Sequence, residues 1–72
     1  MSIKFDWVDS GQECLRYSNV KARYLYRDNK IGATKKIVVY RNGQMQTIYR
    51  LDGSKEWLPS EQALIALIGK SK

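Results

Sequence analysis

Residues 35–51, KKIVVYRNGQMQTIYRL, decide the fold of this chain. Two runs rich in β-branched and aromatic residues flank Asn42-Gly43, a dipeptide that strongly indicates a β-hairpin. A two-residue loop of this kind is typical of a type I′ turn, in which both central residues have positive φ. Such a loop predicts a register in which Ile37 opposes Ile48.

This register gives the hairpin two mixed faces. One face is predicted to carry Ile37, Val39 and Ile48, together with Lys35, Arg41 and Arg50. The other is predicted to carry Val38, Tyr40, Met45, Tyr49 and Leu51, together with Lys36 and Thr47. Because neither face is wholly polar, we expect the sheet to be curled or partly covered on both sides.

Period-2 alternation extends the sheet towards the N-terminus. Residues 3–7 alternate between apolar and polar side chains, which predicts a half-buried strand that ends at residues 9–11, Asp-Ser-Gly. Residues 20–27 alternate again and predict a second strand. Residues 12–19 fit either a short strand or a single helical turn.

One amphipathic helix is predicted near the C-terminus, over about residues 60–68. Ser60 is a suitable N-cap, Glu61 lies at the positive end of the helix dipole, and Gly69 is a natural C′ residue. An apolar stripe would pack on the sheet or, alternatively, form a dimer interface; it consists of Leu64, Ile65, Leu67 and Ile68.

These elements predict a single α+β domain over residues 1–72, with an antiparallel sheet of three to five strands and the helix packed on it. A small SH3-like barrel with the helix as a cap is the alternative. A chain of 72 residues builds a small core, so a homodimer or another stabilising partner is also open.

The net charge of +6 is concentrated in one part of the chain. Residues 16–50 hold nine basic side chains and one acid, Asp28, and these nine minus one give a local charge of +8. We do not expect local ion pairing to neutralise this block. Its basic residues are Arg16, Lys21, Arg23, Arg27, Lys30, Lys35, Lys36, Arg41 and Arg50.

A concentrated positive field on folded structure favours a polyanion, and nucleic acid is the commonest one. Lys21, Arg23 and Arg27 are predicted to project from one side of their strand, opposite Tyr24 and Tyr26. The candidate binding residues are therefore these three with Lys30, Lys35, Lys36, Arg41 and Arg50. Aromatic side chains near them either stack bases or pack in the sheet; they are Tyr17, Tyr24, Tyr26, Tyr40 and Tyr49.

Residue usage argues against an enzyme and against a membrane protein. The chain has no histidine and one cysteine, Cys14, so it offers no zinc cluster, no internal disulfide and no activated thiol nucleophile. No cofactor or metal site is predicted. No segment reads as a signal peptide or a membrane span, which predicts a reduced, cytoplasmic protein. Trp7 and Trp57 are expected in the core or its rim, or alternatively as contacts for a protein partner.

The order of strands and helix, from Ala22-Arg-Tyr-Leu-Tyr-Arg-Asp-Asn-Lys to Leu58-Pro-Ser-Glu-Gln-Ala, resembles the AP2-type DNA-binding domain. It is also similar to the arm-site-binding domain of tyrosine-recombinase integrases. The resemblance implies that the sheet contacts DNA, with Arg23, Arg27, Arg41 and Arg50 as readers or anchors. A small phage or mobile-element protein would suit this size.

The sequence thus predicts a non-catalytic module that binds nucleic acid, DNA in preference to RNA, through a basic sheet face and its hairpin loops. The alternative is an inhibitor or adaptor whose basic face binds an acidic protein partner. The two hypotheses differ in their salt dependence, because phosphate binding weakens steeply as salt rises.

Overall fold

The computed structural model describes residues 3–16 and 18–70. One antiparallel sheet contains four strands in sequence order, and a helix follows. Because this sheet does not close into a barrel, the predicted α+β class is confirmed and the SH3-like alternative is wrong. The elements are β1 (Val8–Cys14), β2 (Val20–Asp28), β3 (Ala33–Tyr40), β4 (Met45–Leu51) and α1 (Glu61–Lys70).

The hairpin between β3 and β4 has a three-residue loop instead of the predicted two-residue loop. The Tyr40 N–H donates to the Gln44 carbonyl at 2.8 Å, and the Gly43 N–H donates to the Tyr40 carbonyl at 3.1 Å. Gly43 has a φ of +93°, whereas Asn42 has no positive φ, which excludes a type I′ turn. The loop is a type I turn followed by a glycine in the left-handed region.

This longer loop shifts the register by one residue, so the predicted pairing of Ile37 with Ile48 is wrong. Ile48 opposes Lys36 instead. A shift of one residue moves the side chains of one strand to the other face relative to its partner, so the predicted composition of the two faces is also wrong. As a result, Arg50 shares a face with Lys36 and not with Lys35.

The observed registers divide β2, β3 and β4 into two faces, because residues that oppose each other across a ladder point to the same side. We call one the cationic face; it carries Arg23, Leu25, Arg27, Thr34, Lys36, Val38, Gln46, Ile48 and Arg50. We call the other the helix face; it carries Ala22, Tyr24, Tyr26, Asp28, Ala33, Lys35, Ile37, Val39, Met45, Thr47, Tyr49 and Leu51. The side chains of Arg23 and Arg27 therefore project from the cationic face and those of Tyr24 and Tyr26 from the helix face, as predicted.

Helix α1 packs on the helix face beside β4. The Ser60 hydroxyl accepts the Ala63 N–H at 3.2 Å, which confirms the predicted N-cap. Leu64 is fully buried and forms the core with Ala33 and Tyr49. Partly buried side chains surround this cluster, namely Phe5, Trp7, Ile31, Leu51, Leu58 and Ile68.

The far end of α1 differs from the sequence prediction. The helix continues through Gly69 to Lys70, so the expected stop near residue 68 is wrong. Within the predicted apolar stripe Leu64 is buried, while Ile65 and Ile68 are half-buried. No helix in the described part of the chain is long and apolar enough to cross a membrane.

Two N-terminal predictions need correction. Residues 3–7 show the predicted alternation of burial but form no strand. Instead, Phe5 stacks on Trp7 with the ring centroids 5.0 Å apart, and the Trp7 indole N–H donates to Glu61 at 3.0 Å. This segment is held by these side-chain contacts and by the Asp6 N–H, which donates to the Asp28 carboxylate at 2.8 Å, and not by a β-ladder.

Strand β1 begins where the sequence predicts a break. It spans Val8–Cys14, includes the Asp-Ser-Gly sequence at 9–11, and is exposed along its whole length. The register with β2 shifts between Asp9 and Gly11, and Gly11 has a φ of +140°. The presumed break is therefore a β-bulge inside an edge strand, a common position for one.

Candidate nucleic-acid interface

Three basic side chains form a diagonal row on the cationic face. Arg23 on β2 opposes Val38, which lies two residues from Lys36 on β3. Lys36 opposes Ile48, which lies two residues from Arg50 on β4. Diagonal neighbours in a sheet have their Cα atoms about 7–8 Å apart, so the row spans roughly 15 Å. We call Arg23, Lys36 and Arg50 the cationic row.

The central member of this row lies in a strongly positive environment. Partial burial of the Lys36 ammonium, with Arg23 and then Arg50 nearby, lowers the pKa of Lys36 from its usual value, and Glu13 opposes this effect. Within the described residues, no carboxylate forms an ion pair with Lys36 or Arg50. An incoming anion would therefore relieve repulsion that the fold itself leaves in place.

Arg27, on the same face, is occupied by contacts within the protein. Its guanidinium forms a two-pronged ion pair with Asp52 and also donates to Thr34 at 3.3 Å and to Asn29 at 3.0 Å. The hydrogen bond from Arg27 lowers the pKa of the Asp52 carboxyl, and the same bond raises the pKa of Arg27. This arginine fastens the β2–β3 turn to the end of β4.

Arg23 has a looser acidic partner. Its guanidinium lies 3.6 Å from Glu13 on β1, and 39% and 53% of the two side chains are exposed. Exposed ion pairs of this kind contribute little to stability. Arg23 is thus free to exchange Glu13 for another anion, whereas Arg27 would have to give up several contacts at once.

Trp57 lies at the β4 end of the cationic row. The backbones of Tyr49 and Leu58 pair through two hydrogen bonds of 2.9 and 2.6 Å, which places residues 57 and 58 beside β4. The Lys36 Nζ is 4.3 Å from the centroid of the Trp57 ring, and the Arg50 Cζ is 4.8 Å from it. These are cation–π distances, and they show that the indole lies on the cationic face.

The other predicted binding residues lie outside the row. Lys21 is at the bulge that interrupts β2, and Lys30 is exposed in the β2–β3 turn. Lys35 projects from the helix face, where its Nζ is 5.6 Å from the centroid of the Tyr26 ring. Of the tyrosines named above, Tyr17 lies outside the described residues.

Arg41 forms hydrogen bonds within the protein. Its side chain donates to the carbonyls of Leu15 and Ser18, and its backbone N–H donates to the Asn19 carbonyl at 2.9 Å. These bonds tie the β3–β4 turn to the β1–β2 loop. The eight candidate residues therefore do not all lie on one face, and Arg23, Lys36 and Arg50 are the ones that the structure brings together in a row.

Sequence reasoning missed three members of this region. The sequence predicts Trp57 in the core or its rim, or alternatively as a contact for a protein partner. Its position beside the cations depends on a backbone bridge that hydrophobic periodicity does not reveal. Glu13 and Asp52 lie outside the basic block, yet they pair with two of its arginines. Among residues 3–16 and 18–70, Lys36 and Arg50 form no ion pair, as expected for the basic block, whereas Arg23 and Arg27 each pair with an acid.

Comparison with known proteins gives no match: no family model, no curated protein and no solved structure is significantly similar to this chain. The resemblance to AP2-type and integrase domains therefore depends on the order of elements alone. Any functional conclusion must come from the geometry of the cationic face.

Proposed function

We propose that this protein is a non-catalytic module that binds nucleic acid, DNA in preference to RNA, through the cationic face. The observation that carries the proposal is the cationic row itself. Arg23, Lys36 and Arg50 occupy three adjacent strands, and two of them have no acidic partner among residues 3–16 and 18–70. Phosphate contacts from lysine and arginine supply most of the affinity in non-specific binding.

The position of the helix supports this proposal. Helix α1 packs on the helix face, through Leu64 against Ala33 and Tyr49. The cationic face is not covered by this helix, so an extended polymer can approach it along the diagonal.

The direct test is a titration of the protein against labelled duplex DNA, single-stranded DNA and RNA at two salt concentrations. The double variant Lys36→Gln/Arg50→Gln should bind at least tenfold more weakly than the parent at ~0.1 M salt. The matched control is Lys4→Gln/Lys70→Gln, which removes the same charge from two exposed positions off the cationic face. This control should change affinity by less than about threefold, because its lost charges are screened over ~8–10 Å.

Replacement of Arg23 and Arg27 together, which the sequence alone suggests, would be a poor test because Arg27 fastens the β2–β3 turn. If the parent binds none of the three polymers at ~0.1 M salt, the proposal fails. An acidic protein partner for the same face would then be the surviving hypothesis. Equal losses in the two double variants would instead reject the cationic face as the site.

A further inference from the structure

The cationic face carries an aromatic ring at the β4 end of the cationic row. Trp57 lies beyond β4, against Lys36 and Arg50. Tyr40, the last residue of β3, lies off the row, because its hydroxyl donates to the Gln46 side chain on β4 at 2.9 Å. The row spans roughly 15 Å, and the Trp57 ring, about one strand spacing further on, brings the length to roughly 20 Å. That length suits a short stretch of extended single strand, about four nucleotides.

The two kinds of contact at Trp57 differ in strength. Stacking of one base on an aromatic side chain raises affinity by roughly 5- to 150-fold. A cation–π contact corresponds to about two- to fivefold at an exposed site and to roughly 30-fold when it is desolvated, so the upper part of the stacking range exceeds both values. A base that replaces one cation over the indole therefore adds more affinity by stacking than the lost cation–π contact removes. The released cation, Lys36 or Arg50, then becomes available to a neighbouring phosphate.

We propose that the polymer bound by the cationic face is single-stranded nucleic acid, with one base stacked on Trp57 and phosphates along Arg23, Lys36 and Arg50. This inference rests on the proposed function and specifies its substrate class. Trp57 suits the role because its ring already lies beside two of the cations that would meet the phosphates, and the backbone bridge between Tyr49 and Leu58 holds its segment beside β4. Duplex DNA keeps its bases stacked on each other and cannot use the ring in this way.

Fluorescence gives a direct test, because the chain contains two tryptophans. In a Trp7→Phe variant, Trp57 is the sole indole and its emission reports on the candidate site alone. We expect an eight-residue oligothymidylate to quench this emission on binding. A hairpin duplex with an eight-base-pair stem should leave the emission within about a tenth of its starting value.

Affinity provides the second measurement. Trp57→Leu should weaken binding of the oligothymidylate at least fivefold at ~0.1 M salt, the lower limit for loss of one stacked base. The matched control is Tyr24→Leu, which removes an aromatic ring from the helix face and should leave affinity within about twofold. Circular dichroism of each variant checks that the sheet is retained.

The outcomes separate this inference from the proposed function. If the parent binds the oligothymidylate with a clear salt dependence but Trp57 emission is unchanged, stacking is rejected and phosphate binding stands. Tighter binding to the hairpin than to the oligomer would likewise overturn the single-strand assignment. If neither polymer binds, both proposals fail. The emission measurement keeps the Trp57 indole, so it decides the question if Trp57→Leu does not fold, and the affinity measurement decides it if Trp7→Phe does not fold.

Discussion

Asp28 is a buried charged residue, with 1% of its surface exposed, and it organises the turn between β2 and β3. Its carboxylate accepts the backbone N–H groups of Ile31 and Lys30 at 3.0 Å and of Asp6 at 2.8 Å. The turn is thereby joined to the N-terminal segment. These hydrogen bonds, that from Ile31 foremost, hold the pKa of the carboxyl below its ordinary value.

Asp28→Asn should destabilise the fold by on the order of 1–3 kcal/mol at neutral pH, because the amide presents a donor where three N–H groups need an acceptor. Because the folded pKa is depressed, the stabilisation is complete above the unfolded value of about 3.9 and is lost as pH falls through the folded pKa. Thermal melts of the parent and the variant at pH 7, 5 and 3 measure both effects.

Between pH 5 and pH 3, the melting temperature of the parent should fall further than that of the variant. Asp52, whose pKa is also depressed, remains in both proteins and accounts for part of the residual loss. An identical acid sensitivity in the two proteins would contradict the assigned role of Asp28.

Glu13 tests the electrostatics of the cationic row at a single residue. Its carboxylate competes with an incoming phosphate for Arg23, at an N–O distance of 3.6 Å. Glu13→Gln should therefore bind nucleic acid about threefold more tightly at ~0.1 M salt, with little change in stability, since exposed pairs contribute below about 1 kcal/mol. Asp6→Asn is the control, because Asp6 is exposed away from the row. A weaker Glu13→Gln variant would show that the glutamate holds Arg23 in its binding position.

At the scale of elements, two glycines have opposite roles. Gly43 ends the β3–β4 turn with a φ of +93°, whereas Gly69 lies within α1 with no atom inside 4 Å of an added Cβ. Gly43→Ala should destabilise the protein by about 1 kcal/mol because the left-handed region is costly for alanine. Gly69→Ala should stabilise it by about 0.5 kcal/mol through helix propensity. Denaturant unfolding of both variants measures the contrast, and a neutral Gly43→Ala would argue against the three-residue loop.

Helix α1 presents two aliphatic residues with different degrees of burial. Leu64 is fully buried, so Leu64→Ala should cost on the order of 2–4 kcal/mol. Ile68 is half-buried at the edge of the core, and Ile68→Ala should cost less than half of that. Urea unfolding of each variant gives the two free energies. Comparable costs would mean that α1 packs more deeply than its exposure indicates.

The elements that the sequence predicts well are those with a local chemical signal. Ser60 precedes a run of apolar residues with helical spacing, and the cap is found there. Asn42-Gly43 predicts the position of the hairpin correctly but its register wrongly, because this dipeptide fits both a two-residue and a three-residue loop. The alternation of apolar and polar residues also fails to reveal β1. Both faces of this edge strand are exposed, so its sequence does not alternate.

The candidate site was harder to predict than the fold. Charge density indicated the correct region, but a row of side chains depends on the register of two ladders and on a bulge at Lys21. Arg27 and Arg41 are indistinguishable from Arg50 in sequence. In the folded protein Arg27 pairs with Asp52, and Arg41 donates to the Leu15 and Ser18 carbonyls. These are tertiary contacts that the sequence does not reveal.

At the scale of the whole molecule, the domain is elongated, with extents of 41 × 21 × 19 Å. Its core cluster lies at one end of the helix face, and Met45 near the β3–β4 turn remains 67% exposed. The homodimer suggested by the small core stays a prediction. Sedimentation at several protein concentrations would test it, and a monomer at high micromolar concentration would reject it.

The salt dependence of binding gives the number of basic side chains that contact phosphates. For single strands, the slope of log K against log salt is about −0.7 for each phosphate neutralised. The cationic row holds three cations, so the slope should be about −2. Involvement of all eight basic residues that the sequence suggests would give about −5.6.

Anisotropy titrations of a labelled oligothymidylate between ~0.05 and 0.3 M salt would give this slope. Lys36→Gln/Arg50→Gln should reduce its magnitude by about 1.4, because two of the three contacts are lost. Lys4→Gln/Lys70→Gln should leave the slope unchanged, although both double variants carry the same net charge. Equal changes in the two variants would reject the cationic row as the site. A parent slope near −5 would mean that the polymer contacts the whole basic block. The ion pairs at Glu13 and Asp52 would then have to open on binding.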